Sequence, residues 1–148
     1  MVQASLFNEV EEDLRERMRE LLRSDSLIFS EKAVILCLLS ESAFGQNRAI
    51  SIDRIQCLSL KAGDGEYGDR TIKQAVKSLL EKYGLPVGSC RIPGQNGYYI
   101  CISDSDAEDA VRPLKAEIFS LFRRIKGLSP NSAFVRQLNG QMELMKED

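Results

Sequence analysis

The fold is decided by residues 69–97, DRTIKQAVKSLLEKYGLPVGSCRIPGQNG, which continue directly into YYICIS at 98–103. In the first half, apolar residues recur at helical spacing, so one face of a helix is predicted to be buried. These residues are Ile72, Ala75, Val76, Leu79, Leu80 and Tyr83. Asp69 is expected to cap the helix by accepting a backbone N–H bond, and Gly84 to end it in the left-handed conformation. A helix is therefore predicted over 69–83.

Two short β-prone runs follow this helix. They are Leu85–Ile92 and Tyr98–Ile102, joined by PGQNG, in which Gly94 and the pair Asn96 and Gly97 supply turn conformations closed to most residues. A helix that leads directly into a hairpin is the core of a winged helix-turn-helix. The predicted class is therefore mainly α with a small antiparallel β-hairpin (α+β), flanked by amino- and carboxy-terminal amphipathic helices.

Three motifs in this stretch carry a resemblance to a known family. They read R-x-I-x-x-A-V-x-x-L at 70–79, G-L-P-V-x-S at 84–89 and G-Y-Y at 97–99. Together they resemble the winged helix of the biotin operon repressor type, and similar domains in phage-encoded and bacterial DNA-binding proteins, over Phe29–Ser103. The resemblance implies a DNA-binding protein with a role in transcription regulation. Because it covers only the winged portion, it implies no biotin chemistry.

The residues before this stretch fit the order that a winged helix requires. A helix is predicted from Ser30 to Leu39, a short strand that pairs with the wing at Ala49–Ser51, and a helix over Ile52–Leu60 with Ser51 as its cap. Residues 61–68, KAGDGEYG, make a longer turn than a tight helix-turn-helix has. This turn is predicted to loosen the coupling between the two helices it joins, and to touch the DNA backbone or a partner.

Amphipathic helices are predicted on both sides, which divides the chain into residues 1–26, 27–104 and 105–148. The helix over Leu6–Arg23 has an apolar stripe that could pack on its own domain or on a second subunit. After the wing, Ser105–Glu108 has the form of a capping box, and a wide apolar stripe predicts a helix. Pro113 lies too deep for its first turn, so the helix is predicted to kink or restart near Arg112. Its apolar face should pack on the first helix or on a second subunit.

The last segment, Asn131–Asp148, reads as a marginal helix interrupted by Gly140. The long apolar faces on both sides of the winged core lead us to expect a homodimer that forms through the flanking helices.

Eight side chains are candidates for contact with double-stranded DNA. On the helix, Arg70, Gln74 and Lys77 fall within a sector of about 60° opposite the buried stripe, so all three can face one groove. Arg70 could bind guanine and Gln74 adenine, while Thr71, Lys73 and Lys77 would chiefly touch phosphates. In the wing, contacts to the minor groove or backbone are predicted for Arg91, Gln95 and Asn96. The alternative is that this is simply a solvated helix face.

Charge gives the DNA-binding interpretation weak support. The whole chain carries a net charge of −2, whereas DNA-binding surfaces are basic. Residues 69–99 are locally basic, with Arg and Lys exceeding Asp and Glu, and the acidic residues concentrate at 9–20 and 104–109. A protein-interaction module with the same fold and no DNA affinity is therefore the alternative function.

Enzymatic and metal chemistry have no candidate residues in the sequence. There is no histidine and no serine nucleophile motif, and the four cysteines match no zinc-ligand spacing, so no catalytic residue, cofactor or metal is expected. Cys37 and Cys57 are predicted to be buried, while Cys90 and Cys101 could be neighbours on the hairpin. No apolar run is long enough for a membrane span, and the amino terminus lacks the features of a signal peptide, so a cytoplasmic protein is expected.

Overall fold

A computed structural model of the chain describes residues 2–91, 93 and 96–146, without the side chains of residues 2–8 and 145–146. The described part is mainly helical with one two-stranded antiparallel hairpin, which confirms the predicted α+β class. Its elements are α1 Val2–Arg23, α2 Phe29–Ser40, a 3₁₀ turn Gln46–Arg48, α3 Ile52–Lys61, α4 Asp69–Glu81, β1 Val87–Cys90, β2 Gly97–Ile100, α5 Asp104–Leu128 and α6 Ala133–Lys146. By internal contacts the chain divides into two compact units, Met1–Ala110 and Val111–Asp148.

The first unit has a continuous apolar core. Helix α2 lies at its centre and contacts α1, α3 and α4, which explains why its residues from Ala33 to Leu39 are all apolar. The fully buried side chains of this core include Ile35, Leu38, Ile55, Ile72, Leu79 and Ile100. The predicted stripe of α4 is buried at Ile72, Ala75, Val76 and Leu79, but Leu80 at its edge is 40% exposed.

Helix α1 packs on its own unit, which is one of the two alternatives that the sequence left open. Met18 is completely buried, and Leu14 and Leu21 pack against the same core. The Arg15 guanidinium lies over the Phe44 ring, 4.3 Å from its centroid, and adds a cation–π contact between α1 and the residues after α2.

The hairpin is joined to the rest of the unit by backbone bridges. Val87 pairs with Ile100 at one end of the β1–β2 register and Cys90 with Gly97 at the other. The predicted strand at 49–51 is present as a single antiparallel bridge between Ile50 and Tyr98, in which each backbone N–H donates to the other carbonyl, at 2.9 and 2.8 Å. In the described residues, the two hairpin strands β1 and β2 are shorter than the predicted runs Leu85–Ile92 and Tyr98–Ile102.

Two of the three predicted helix caps are wrong. Ser51 does cap α3, because its hydroxyl accepts the Arg54 N–H at 3.1 Å. Asp69 is instead the first residue of α4, after Gly68 as N-cap. The start of α5 is capped by Ser103, whose hydroxyl accepts the Asp106 N–H at 3.1 Å, and not by Ser105.

The buried carboxylate of Asp106 explains where α5 begins. Its two oxygens accept the backbone N–H groups of Gln46 and Ile102, both at 3.1 Å. The Tyr99 hydroxyl donates to the Asp106 carbonyl at 3.2 Å. This single residue therefore joins the 3₁₀ turn and the end of the hairpin to the first turn of α5.

Helix α5 is continuous, and its apolar face is exposed. It runs without a restart through Pro113, although proline removes one intrahelical hydrogen bond. The apolar stripe that was expected to be covered is exposed in the single chain, with side chains such as Leu114 and Ile118 at 51% and 45%. In α6, which continues through Gly140, Val135 and Met142 are buried.

The cysteines are all free thiols. Cys37 is buried as predicted, but Cys57 is exposed because it lies on the outer side of α3, opposite Ile55. Cys90 and Cys101 are not neighbours: Cys90 pairs with Gly97, whereas the Cys101 N–H donates to Pro86 at the other end of the hairpin. A strand rise of about 3.3 Å per residue separates them by more than a disulfide allows.

Candidate nucleic-acid interface

The outer face of α4 brings together the five predicted helix residues. Arg70, Thr71, Lys73, Gln74 and Lys77 are all exposed. Four of them, with Asp69, line an open groove of about 410 Å³ along the helix. The amphipathic sequence produces this arrangement, because the buried stripe holds the opposite face of α4 against α2.

The cations of this face are available to a ligand. Within residues 2–91, 93 and 96–146, none of the ion pairs involves Arg70, Lys73, Lys77 or Arg91. All four are exposed. A polyanion that approached this face would therefore not have to displace an internal carboxylate from them.

The beginning of α4 is fixed by a side chain that the sequence analysis did not single out. The Gln56 amide of α3 donates to the Tyr67 carbonyl at 3.1 Å and to the Asp69 carboxylate at 2.8 Å. The Tyr67 hydroxyl donates to the Asp64 carbonyl at 2.7 Å, which closes the loop on itself. The long turn therefore does not leave α3 and α4 uncoupled, because Gln56 bridges them directly.

The end of α4 is held by α1. Gly84 has φ +65°, as predicted for the residue after the helix, and the Leu85 N–H turns back to the Leu79 carbonyl at 3.0 Å. The Arg17 guanidinium donates to the Tyr83 carbonyl at 2.6 Å, and the Tyr83 hydroxyl donates to the Ser26 carbonyl at 2.8 Å. Both ends of the helix are thus fixed by side chains from earlier elements.

The turn of the hairpin provides two further polar side chains. Arg91 and Asn96 are exposed there, on either side of the turn, while Gln95 lies outside the described residues. Burial raises the pKa of Tyr98, and nearby Arg91 opposes that rise while Asp69 adds to it.

Tyr98 and Tyr99 point to opposite faces, as their alternation predicts. Tyr99 is completely buried, and that burial raises its pKa to about 12. Tyr98 is half-buried and packs against the core, so it is a packing residue. The thiol of Cys101 just beyond is also desolvated, which raises its pKa to about 11 and makes it a poor nucleophile.

Acidic side chains border the cationic face. Asp64 and Glu66 are exposed in the loop before α4, and Glu81 is exposed at its end. Glu81 lines a second groove, of about 440 Å³, between the start of α2 and α4, together with Thr71, Gln74 and Lys77. Three candidate DNA contacts therefore share a groove with a carboxylate, which would repel phosphates at that end of α4.

Comparison with protein-family models, with characterised proteins and with solved structures yields no match to this chain. Among the described residues, no group of three or more Cys, Asp or Glu side chains is arranged to hold a metal ion. None of the described helices is long and apolar enough to span a membrane.

Proposed function

We propose that the chain is a DNA-binding protein, a transcriptional regulator or a phage-type DNA-associated protein, in which Phe29–Ser103 act as a winged helix-turn-helix. The observation that carries the proposal is the exposed face of α4, where two cationic side chains and an amide, Arg70, Lys77 and Gln74, share one sector. The β1–β2 hairpin follows that helix directly, and both ends of the helix are rigidly held.

In this proposal α4 enters the major groove with its first two turns. Arg70 would donate to guanine O6 and N7, and Gln74 would pair with adenine, each bidentate contact contributing about 1–3 kcal/mol of discrimination. Thr71, Lys73 and Lys77 would contact phosphates and set the register. Arg91 and Asn96 of the hairpin would reach the adjacent backbone or minor groove, with Gln95 in the same turn.

The acidic residues near the start of α4 affect how strongly the chain is expected to bind DNA. Asp64 and Glu66 would weaken attraction to phosphates near the start of α4, so non-specific affinity should be low and strongly salt-dependent. Sequence-specific contacts then have to supply most of the useful affinity. A homodimer with two copies of α4 about one helical turn of DNA apart would double those contacts. The proposal also implies a cytoplasmic location, where bacterial or phage DNA lies.

The test is binding to duplexes selected from a random-sequence library, followed by fluorescence anisotropy at about 50 and 200 mM salt. The double variant Arg70→Ala, Lys77→Ala should lose roughly 100-fold in affinity and flatten the salt slope by about two charges. The control is Arg123→Ala with Lys126→Ala, which removes the same charge from exposed positions of α5. Tight binding that both pairs leave unchanged would refute the assignment of α4.

A second candidate function is a protein-interaction module with no DNA affinity. The observation that favours it is a pair of exposed apolar side chains, Ile28 at 62% and Phe29 at 79%, at the start of α2. Ile28 also lines the second groove, beside Glu81. If no selected duplex binds at about 50 mM salt, where phosphate contacts are strongest, this candidate replaces DNA binding.

A further inference from the structure

Helix α5 carries an unbroken stripe of aliphatic side chains on one side. They are Val111, Leu114, Ile118, Leu121, Ile125 and Leu128. The steps between them alternate between three and four residues, which is the heptad spacing of a coiled coil, and their exposed fractions run from 37% to 88%.

The residue types at the two heptad positions are not random. The a positions hold only β-branched residues (Val111, Ile118 and Ile125), and the d positions hold only leucine. In parallel coiled coils, branched residues at a with leucine at d favour two strands over three or four. The stripe therefore has the composition of a two-helix contact.

The exposed area is large enough for a specific contact. Half-exposed aliphatic side chains contribute roughly 80 Å² each, so two copies would bury on the order of 1,000 Å² of apolar surface, near the lower limit for specific dimers. The share of one copy, roughly 500 Å², is comparable to the largest apolar patch of a typical monomer, and such patches are often functional. In helix α1, by contrast, Met18 is buried in the core of its own unit.

We propose that two copies of the chain dimerise by antiparallel pairing of their α5 stripes. This rests on the homodimer of the proposed function and not on DNA binding. In antiparallel pairing an a residue packs against a d residue of the second copy. One alignment satisfies every such layer, with Val111 against Leu128, Leu114 against Ile125, and Ile118 against Leu121.

Charge complementarity selects the antiparallel direction. In that alignment the flanking g positions face each other, so Glu117 of one copy lies opposite Arg124 of the other, twice by symmetry. Both side chains are exposed in the single chain. The other flank places Lys115 against Phe122, with no like charges opposed.

Parallel pairing offers no comparable gain. There, g positions face the e positions of the next heptad, which would set Glu117 against Phe122 and Arg124 against Ser129. Neither contact pairs opposite charges. Aliphatic layers form in both directions, and the a/d composition is the one found in parallel dimers. The Glu117–Arg124 ion pairs are therefore the feature that selects antiparallel pairing.

The first experiment is sedimentation equilibrium of the full chain without DNA, from about 1 to 200 μM. The wild type should show a monomer–dimer equilibrium, and Ile118→Asp should shift it to monomer while far-UV circular dichroism stays unchanged, because Ile118 is 45% exposed in the single chain. A monomer throughout this range, or a trimer or larger assembly, would overturn the proposal.

The second experiment is a charge swap that tests the direction. Glu117→Arg or Arg124→Glu alone should weaken dimerisation about tenfold, because two attractive contacts become repulsive, and the double variant should restore it to within about threefold. Arg123→Glu is the matched control: the neighbouring exposed arginine lies at the outermost heptad position and should leave the dimer unchanged.

The charge swap also distinguishes antiparallel pairing from other ways of dimerising through α5. If both single reversals leave the dimer unaffected, the antiparallel register is wrong even when Ile118→Asp dissociates it. Because neither measurement includes DNA, loss of duplex binding in the Arg70 and Lys77 variant leaves this proposal standing, and a monomeric wild type leaves DNA binding by a single copy standing.

Discussion

Helices α4 and α5 have the same kind of sequence and opposite surroundings. Both carry one regular apolar stripe and a charged outer face. In α4 the stripe is buried, with Ile72 at 1% and Leu79 at 0% exposed, whereas in α5 Leu114 and Leu121 remain 51% and 45% exposed. Periodicity thus identifies the face that needs a partner, but it does not say whether that partner lies in the same chain.

The largest expected effect is on the core stripe. Leu79→Ala should lower the free energy of unfolding by about 3 kcal/mol, because it removes a fully buried side chain and leaves a cavity. Leu121→Ala, the matched change in α5, should cost less than about 1 kcal/mol at dilute protein, since its side chain is half in water already. Urea unfolding at about 1 μM measures both.

The stability costs of Leu121→Ala and Leu79→Ala should depend differently on protein concentration. If α5 dimerises, the cost of Leu121→Ala should grow with concentration, because the dimer stabilises the folded state by mass action. The cost of Leu79→Ala should stay constant. Equal costs for the two variants at low concentration would show that the two helices do not differ as described.

The next largest effect is the change in stability when a glycine in each unit, Gly97 or Gly140, is replaced by alanine. Gly97 has φ +153°, and a Cβ there would collide with the Ile50 carbonyl in the bridge to the hairpin. Gly97→Ala should therefore destabilise the chain by about 2–3 kcal/mol. Gly140 lies in α6 with open space around its Cα, so Gly140→Ala should stabilise by about 0.5–1 kcal/mol. Thermal unfolding of the two variants should show shifts of opposite sign.

The smallest effect distinguishes the two serines near the start of α5. Ser103→Ala should cost about 1 kcal/mol, because its hydroxyl accepts the Asp106 N–H, whereas Ser105→Ala should be close to neutral. Chemical denaturation resolves the difference. A larger cost at Ser105 would restore the capping box that the sequence suggested.

The elements of the first unit were predictable because local rules and tertiary packing agree there. Short-range chemistry accounts for the stripe of α4, for Gly84 after it and for the Ser51 cap. The pairing of Ile50 with the hairpin was predicted from the element order of a winged helix. The five candidate residues of α4 share an exposed face for the same reason, since a buried stripe fixes the opposite side of a helix.

The errors arise where a distant residue decides the outcome. Asp69 did not become a cap because Gln56 binds its carboxylate, and Ser105 did not because the buried Asp106 holds backbone groups from two other segments. Cys57 is exposed because α3 turns Ile55 and Ser59 inward instead. None of these contacts leaves a pattern in the local sequence.

The bridge that Gln56 makes from α3 to Tyr67 and Asp69 has a consequence for how this chain tolerates change. Spacing between the two helices is set by a side-chain amide and not by the number of residues in the connecting turn. Insertions at Gly63, which has open space around it, should leave the orientation of α4 intact. The turn at 61–68 is therefore a suitable place to attach a reporter group or to change the length of the chain.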